Sequence, residues 1–215
     1  IGPVRTVVGL LAVTFSLSSP SQAQLIERIQ EIAEVKHSQG WIRMRDDIHV
    51  SGAELFERYR HQFGLGPKDS MALVSKRTDN LGYTHFRYRQ FHDGIPLEGG
   101  TFILHERNGR VVKANGKIIS PLDINTRPVL SRQQALLRGL EASESKAFSW
   151  EHPEYERRLR SFRGDPTMTS FPDPQLVFTK RIDTLDIGRG NLVLVYAFSV
   201  PTTDAQGGYH MYIDA

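Results

Sequence analysis

Short runs of alternating apolar and polar residues, separated by glycine turns, dominate residues 81–120. Their period-two pattern and β-favouring side chains predict three strands, at 83–91, 101–106 and 110–114. The first strand is followed by Asp93-Gly94 and the second by Asn108-Gly109. These dipeptides favour two-residue hairpin turns, because both turn positions need positive φ and glycine has no Cβ to oppose it. The pattern therefore predicts an antiparallel meander.

A helix and a strand are predicted just before this meander. Residues 51–63 have apolar side chains at helical spacing, and Ser51 and Glu54 are placed as a capping box. The expected apolar face of this helix consists of Leu55, Phe56, Tyr59 and Phe63. Residues 71–76 have a strand-like composition, so they are expected to add a first strand to the meander.

The N-terminal part combines an apolar run with a second helical pattern. Residues 6–17 are apolar and too short to span a membrane, and small residues lead up to Ala23. This composition predicts a signal peptide over 1–23 and export of the protein; the alternative is a buried N-terminal strand or helix. Residues 24–36 predict a short amphipathic helix that ends at Gly40, within a helical segment over 24–47.

The C-terminal half shows one helix pattern and three strand patterns. Residues 120–128 contain two prolines and predict a linker, after which Ser131 is placed to cap a helix over 133–143. Strands are predicted at 175–179, 191–200 and 208–214. The patterns together predict an α+β fold: two small domains, 48–119 and 129–215, each with helices packed on one face of a mainly antiparallel sheet.

Composition narrows the function classes without selecting one. The chain has 215 residues, which suffices for one large or two small domains, and its 39% hydrophobic content is ordinary for a globular protein. The chain has 27 basic and 24 acidic residues, and this net charge of +3 gives no reason to expect a nucleic-acid partner. The chain has no cysteine, which excludes disulfides and thiolate metal sites.

Residues 81–120 resemble the fungalysin/thermolysin propeptide domain of secreted zinc metalloproteases. The resemblance covers about residues 48–119 and depends on the order and spacing of ten positions: Gln90, Phe91, Gly94, Pro96, Gly99, Gly100, His105, Gly109, Asn115 and Gly116. Residues 129–215, with the segments PQLVF, LVYAFSV and YHMYIDA, resemble a PepSY-type domain that is cut short at its C-terminal end.

The resemblance implies that the chain is the N-terminal pro-region of a thermolysin-type (M4) zinc metalloprotease precursor. Such a pro-region would act in cis as an intramolecular chaperone and inhibitor of the catalytic domain, which is its expected partner. The sequence has no His-Glu-x-x-His motif, so zinc and calcium are expected only in the peptidase domain and this chain is expected not to be an enzyme. The alternatives are a free-standing exported PepSY-type inhibitor or binding protein, and a carboxylate-based hydrolase.

Two groups of residues are candidate contacts with the protease. His85, Arg87 and Arg89 share one face of the predicted first meander strand, because side chains alternate with period two. That cationic face is either solvated or a contact surface for an acidic partner. Connectivity places the exit strand near the active cleft, which makes Tyr209, Tyr212 and Asp214 the second group of candidates.

Two other clusters have a functional and an ordinary interpretation. His85, His92 and His105, with Asp93 and Glu106 nearby, form either a surface metal cluster or a set of cross-strand polar residues, and the latter is favoured. The basic run 157–163 contains Phe162, as nucleic-acid sites often do. However, acidic residues precede this run, which favours an exposed charged helix.

Overall fold

A computed structural model describes residues 27–36, 41–120, 122, 124–180, 192–204 and 207–215. The predicted signal peptide and Gly40 lie outside the described residues. Nine strands are present in the described part: β1 Ala33–Lys36, β2 Trp41–Met44, β3 Asp69–Thr78, β4 Thr84–His92, β5 Ile95–Arg107, β6 Arg110–Gly116, β7 Gln175–Lys180, β8 Leu192–Val200 and β9 Tyr209–Asp214. Residues 27–30 are helical, and the further helices there are α1 Leu55–Arg58, α2 Arg132–Ala142 and α3 Pro153–Arg163, with a 3₁₀ turn at Ser149–Glu151.

The strands form one mixed, mainly antiparallel network. Its order is β1-β2-β6-β5-β7-β8-β9, and β4 also pairs with β5 and carries β3 on its other side. The pairing of β5 with β7 is parallel and joins Leu97 to Phe178. The fold is thus rich in sheet with a few helices. Because β5 pairs with strands of both halves, the division into two separate domains stays a prediction.

The two Asx-Gly turns of the meander are confirmed. Asp93 and Gly94 have φ values of 52° and 78°, and Asn108 and Gly109 have φ values of 53° and 73°. Positive φ at both central positions matches the right-handed twist of the paired strands. The second meander strand, however, begins at Ile95 and not at residue 101. The stretch between the turn and the paired glycines is therefore itself extended.

The predicted helix over 24–36 is wrong in its second half. Residues 27–30 are helical, but Ala33–Lys36 form β1, which pairs with β2 in an antiparallel register. A short apolar stretch can satisfy either a helix or a strand, and here the hydrogen bonds offered by β2 decide the outcome. The predicted N-terminal helical segment over 24–47 therefore also contains two strands.

The predicted helix over 51–63 is much shorter than expected. Regular α-helix is confined to Leu55–Arg58, with turns on both sides. The Ser51 hydroxyl donates to the Glu54 carboxylate at 2.6 Å, and the Gly52 amide donates to Glu106 on β5 at 2.7 Å. The predicted side-chain cap is thus not formed, and the backbone amide of Gly52 bonds to the sheet instead. The predicted apolar face is nevertheless confirmed, because it packs into the core.

Two hydrophobic clusters hold the described part together. The first lies between the β1–β6 meander and the 50–65 segment. There the Phe56 ring makes edge contacts with the rings of Phe63, Tyr88 and Phe102, with ring centroids 5.0–5.9 Å apart. The second lies between α2 and the β8–β9 hairpin around Phe198. The predicted cap of α2 is confirmed, since Ser131 and Gln134 form a reciprocal capping box. The first cluster covers one face of the meander, whereas parts of β8 are buried on both faces, since the successive residues Val195 and Tyr196 are both buried.

Candidate functional site

The Gln90–Gly100 region of the signature forms a large bulge between β4 and β5. Arg89 pairs with Thr101 and Phe91 pairs with Pro96, so four residues of β5 lie opposite the single residue Gln90. Such an excess bends the longer strand away from its partner. The bent stretch contains Leu97, which pairs with β7. The bulge therefore lets β5 take part in the pairing of both halves of the molecule.

The Gln90 side chain fixes this bulge from inside. It is fully buried, its amide donates to the Ile119 carbonyl at 2.7 Å, and its oxygen accepts from the Ile119 amide at 2.8 Å. Gly100 lies against it, since an added Cβ would be 3.1 Å from the Gln90 Cβ. Gly99 has a φ of 75°, which a residue with a Cβ adopts at a cost. These signature residues therefore fix the shape of the backbone at the bulge.

The C-terminal end of the signature contains a glycine that the close approach of two strands requires. An added Cβ on Gly116 would be 2.3 Å from the carbonyl oxygen of Thr101, and its φ is 128°. This position thus admits only glycine, because the backbones of β5 and β6 approach each other there. Asn115 and His105 are different, because their side chains reach the outer face of the sheet and bond to each other at 2.8 Å.

The outer face of the first half of the sheet carries the predicted cationic residues. Phe86 and Tyr88 of β4 are buried, whereas Arg87 and Arg89 are exposed and His85 is half-buried. This alternation confirms the predicted arrangement of the three residues on one face. The structure therefore brings His85, Arg87 and Arg89 together on a surface that points away from the first hydrophobic cluster.

The strand register adds four residues that the sequence analysis missed. His85 pairs with Arg77 of β3 and with His105 of β5, His105 pairs with Lys113 of β6, and Lys113 pairs with Arg43 of β2. Trp41 lies one row further along β2, opposite Asn115. We call the following set the basic face: Arg43, Arg77, His85, Arg87, Arg89, His105 and Lys113.

A chain of hydrogen bonds runs along the basic face. The Nδ1 atoms of His85 and His105 are 2.8 Å apart, so one of the two carries the shared hydrogen. The His85 Nε2 lies 2.8 Å from the Asp79 carboxylate. The Trp41 ring packs over His105 with the ring centroids 5.2 Å apart. These contacts hold both imidazoles in place between the longer arginine and lysine side chains.

Asp79 lies at one end of this series of hydrogen bonds, and its negative charge is stabilised by three of them. Its carboxylate bonds to the His85 ring and accepts from the backbone amides of Leu81 and Tyr83 at 2.9 and 3.0 Å. The hydrogen bond with His85 is the largest cause that lowers the pKa of Asp79 below its usual value, followed by the Tyr83 amide. The negative charge of Asp79 therefore offsets part of the positive charge at that end of the row.

The exit strand β9 does not present its three candidate residues together. Tyr209 packs against the second hydrophobic cluster, while Tyr212 and Asp214 are on the opposite, exposed face. The Tyr212 hydroxyl donates to Glu98 on β5 at 3.2 Å. Burial and, next, the nearby Glu98 charge raise the pKa of Tyr212 above its usual value. Tyr212 thus links the two halves of the network.

The suggested histidine cluster is divided between two environments. His92 is buried, and its Nδ1 lies 2.6 Å from the buried Asp69, far along β4 from the outward-facing His85 and His105. Asp93 is on the hairpin turn and bonds to Thr126 at 2.9 Å. Within the described ranges, no three His, Asp or Glu side chains are grouped so as to hold a metal ion.

The basic run 157–163 lies on α3, as the hypothesis of an exposed charged helix predicted. Most side chains of this helix are exposed, and Arg157 and Arg158 both approach Glu154. Glu156 is the exception: it is buried and accepts from the amide and hydroxyl of Ser170. In the part of the chain that the structure describes, no helix has the length and apolar character needed to cross a membrane.

Comparisons with known proteins identify the β3–β6 meander as the matched part of the chain. Residues 69–118, which span β3 to β6, match the model of the Fungalysin/Thermolysin Propeptide Motif. The chain is 28% identical to Thermolysin of Alicyclobacillus acidocaldarius subsp. acidocaldarius over 144 residues, which cover 64% of this chain and 25% of that protein. It is 33% identical to Bacillolysin of Bacillus amyloliquefaciens over 143 residues, or 62% and 26% of the two proteins.

A shorter match adds a third relative of the same kind. The chain is 38% identical over 69 residues to Thermostable neutral protease NprT of Geobacillus stearothermophilus, covering 31% of this chain and 13% of that protein. The chain spans about a quarter of the length of the curated relatives that it matches most extensively. It corresponds to their pro-region and not to the peptidase domain, so the matched part is non-catalytic.

Proposed function

We propose that this chain, the pro-region of a thermolysin-type metalloprotease precursor, acts in cis as a folding helper and inhibitor of its peptidase domain. The observation that carries the proposal is the propeptide motif over 69–118, which coincides with the β3–β6 meander. The match to the pro-region of longer precursors supports the same function and does not favour a free-standing inhibitor.

The physical reason for such a helper is kinetic. A protease that works outside the cell is protected from degradation by a high barrier to unfolding. A high barrier of this kind also slows folding, and a partner that binds the native-like surface can lower it. A tethered partner acts at an effective concentration of around millimolar, so that modest intrinsic affinity is enough to keep the peptidase domain occupied.

Two surfaces are proposed as contacts with the peptidase domain. The first is the outer sheet face that holds His85, Arg87 and Arg89, because it is exposed and lies within the matched motif. The second is the exposed side of β9 with Tyr212 and Asp214, where the Tyr212 hydroxyl donates to Glu98 of β5 and so connects this side to the meander half. Tyr209 is proposed to support the second surface from behind, since it packs against α2 and its neighbours.

The remaining proposals concern the rest of the chain. Residues 1–23 are proposed to act as a signal peptide and to direct export of the precursor. Residues 129–215 are proposed to form a PepSY-type domain with helices on one face of the β7–β9 sheet. Zinc and calcium are proposed to bind in the peptidase domain only.

The proposal is tested with the purified chain and its cognate mature peptidase. We expect micromolar chain to inhibit peptide hydrolysis and to speed the recovery of activity after the peptidase is diluted from denaturant. The control is Gly116→Val, which we expect to be unfolded because an added Cβ meets the Thr101 carbonyl oxygen; circular dichroism checks this. If the folded chain has neither effect at micromolar concentration, the proposed function is wrong.

A further inference from the structure

The basic face carries a charge arrangement that the fold itself does not need. Along one row across the sheet, Arg77 pairs with His85, and Lys113 pairs with both His105 and Arg43. Basic side chains directly opposite each other on neighbouring strands repel, and an acidic residue at one of these positions would favour the sheet. The direct pairing of Lys113 with Arg43 therefore weakens the isolated sheet.

Most of this charge is not neutralised within the molecule. Arg43 approaches Glu34 and Asp46 at 4.0 and 3.6 Å, and His85 bonds to Asp79. Arg77, Arg87, Arg89 and Lys113 are exposed, and no carboxylate among the described residues lies within 4.0 Å of them. Four cations thus stand on one flat surface without an acidic partner there. Such a surface attracts a partner of opposite charge.

We infer that the basic face docks onto a carboxylate-rich surface of the peptidase domain. This inference rests on the proposed function and specifies the chemistry of its partner surface. The location of the charges supports a protein partner, because Arg77, Arg87, Arg89 and Lys113 all fall within the matched 69–118 motif. A net charge of only +3 for the whole chain gives little general attraction to polyanions, and the vesicle and DNA assays below test the local contribution of the basic face.

The geometry sets what kind of surface can be recognised. The exposed cations lie on β3, β4 and β6, which are three of four neighbouring strands, and neighbouring strands are about 5 Å apart. Thr101 and Ile103 lie between them on β5, opposite Arg89 and Arg87. The surface is thus broad and shallow. It fits several carboxylates spread over a flat area better than a single anion in a pocket.

The first test reverses charges on this face and on a matched surface. Arg87→Glu with Arg89→Glu should weaken inhibition of the cognate mature peptidase about 100-fold, because like charges juxtaposed across an interface cost several kcal/mol. The matched control is Arg158→Glu with Arg163→Glu on the exposed α3, which changes the net charge equally. This control should leave inhibition within about threefold of wild type, because rim or remote charges act weakly.

The second test separates binding from folding. Lys113→Glu places a carboxylate opposite His105 and Arg43, so it should raise the denaturant midpoint of the isolated chain while weakening inhibition about tenfold. A purely structural role would move stability and inhibition in the same direction. Raising the salt concentration from about 0.02 M to about 0.3 M should also weaken inhibition by wild type more than by Arg87→Glu/Arg89→Glu.

The outcomes distinguish this inference from the proposed function. If wild type neither inhibits nor speeds refolding, the proposed function fails. If wild type inhibits but the Arg87/Arg89 and Lys113 variants inhibit equally well, only the inference about the basic face is overturned. The same variants are assayed for binding to vesicles with anionic headgroups and to single-stranded DNA. A loss of binding confined to those polyanions, with inhibition unchanged, also overturns it.

Discussion

The two hydrophobic clusters differ in size and in how they are assembled. Among the described residues, the first cluster contains fifteen buried hydrophobic side chains, which come from five strands (β1, β2, β4, β5 and β6), from Ile32 and from the 50–65 segment. The second contains four, around Phe198 and Val200, and is completed by half-buried side chains from α2 and β9. Because stabilisation grows with the apolar area removed from water, the first cluster should dominate the free energy of unfolding.

This difference indicates how the molecule opens. Regions with few buried contacts open locally at a lower free energy than the core of the protein does. We therefore expect the β8–β9 hairpin and α2 to exchange their amide hydrogens before the β3–β6 meander. We expect the half that carries the propeptide motif to be the more stable part, and the half with β9 to open first.

The largest expected effect comes from truncating the first cluster. Leu104 is fully buried at the centre of β5, so Leu104→Ala should lower the free energy of unfolding by about 3 kcal/mol. Urea unfolding measures this loss, and hydrogen exchange should show lower protection in both halves. Val200→Ala, at a fully buried position of the second cluster, should lower protection in β8 and β9 alone. Equal changes across both halves for Val200→Ala would contradict the comparison.

A smaller effect is expected where α2 meets the second cluster. A Cβ added to Gly139 would be 2.4 Å from the Phe198 ring, so Gly139→Ala should cost about 1 kcal/mol despite the better helix propensity of alanine. Adding Phe198→Leu should recover part of that loss, because it removes the ring atoms that clash. Ser161→Ala on the exposed α3 serves as the control and should be neutral or slightly stabilising. Thermal unfolding followed by near-ultraviolet circular dichroism measures all three variants.

The smallest effect concerns a surface contact of the first half. The hydrogen bond with His85 lowers the pKa of Asp79 from its usual 3.8, so the ionised form stabilises the folded state. This contribution is present above pH 3.8 and is lost as the pH falls through the lower pKa of the folded protein. Asp79→Asn should therefore differ from wild type near neutrality and converge with it in acid. Urea midpoints between about pH 2 and pH 7 test this, with Asn80→Ser as the neighbouring control.

The parts of the fold that the sequence predicted are those governed by local chemistry. Asp93-Gly94 and Asn108-Gly109 need positive φ, and Ser131 with Gln134 completes a cap within one helical turn. The alternation along β4 likewise follows from its own side chains. Each of these features depends on residues within a few positions of one another, so the local sequence is sufficient to predict it.

The parts that the sequence did not predict depend on pairing between distant segments. Ala33–Lys36 becomes a strand because β2 is available to it. The bulge at Gln90 shifts the β4–β5 register by three residues, an odd number, and so determines which β5 side chains share the face of His85. The sequence therefore predicts only part of the basic face. Its members on β4 follow from the alternation of side chains, whereas Lys113 and Arg43 can be assigned to it only from the pairing of the strands.

The stretch of β5 opposite Gln90 has a consequence for how such a pro-region is removed. Residues 97–100 connect the half with the propeptide motif to β7, and Gly99 lies exposed in the left-handed region. Exposed backbone that departs from regular strand pairing is a favoured place for proteolytic nicking. One cut there would separate Leu97 and Glu98, which contact β7 and β9, from the rest of β5, and would so release the two halves from each other.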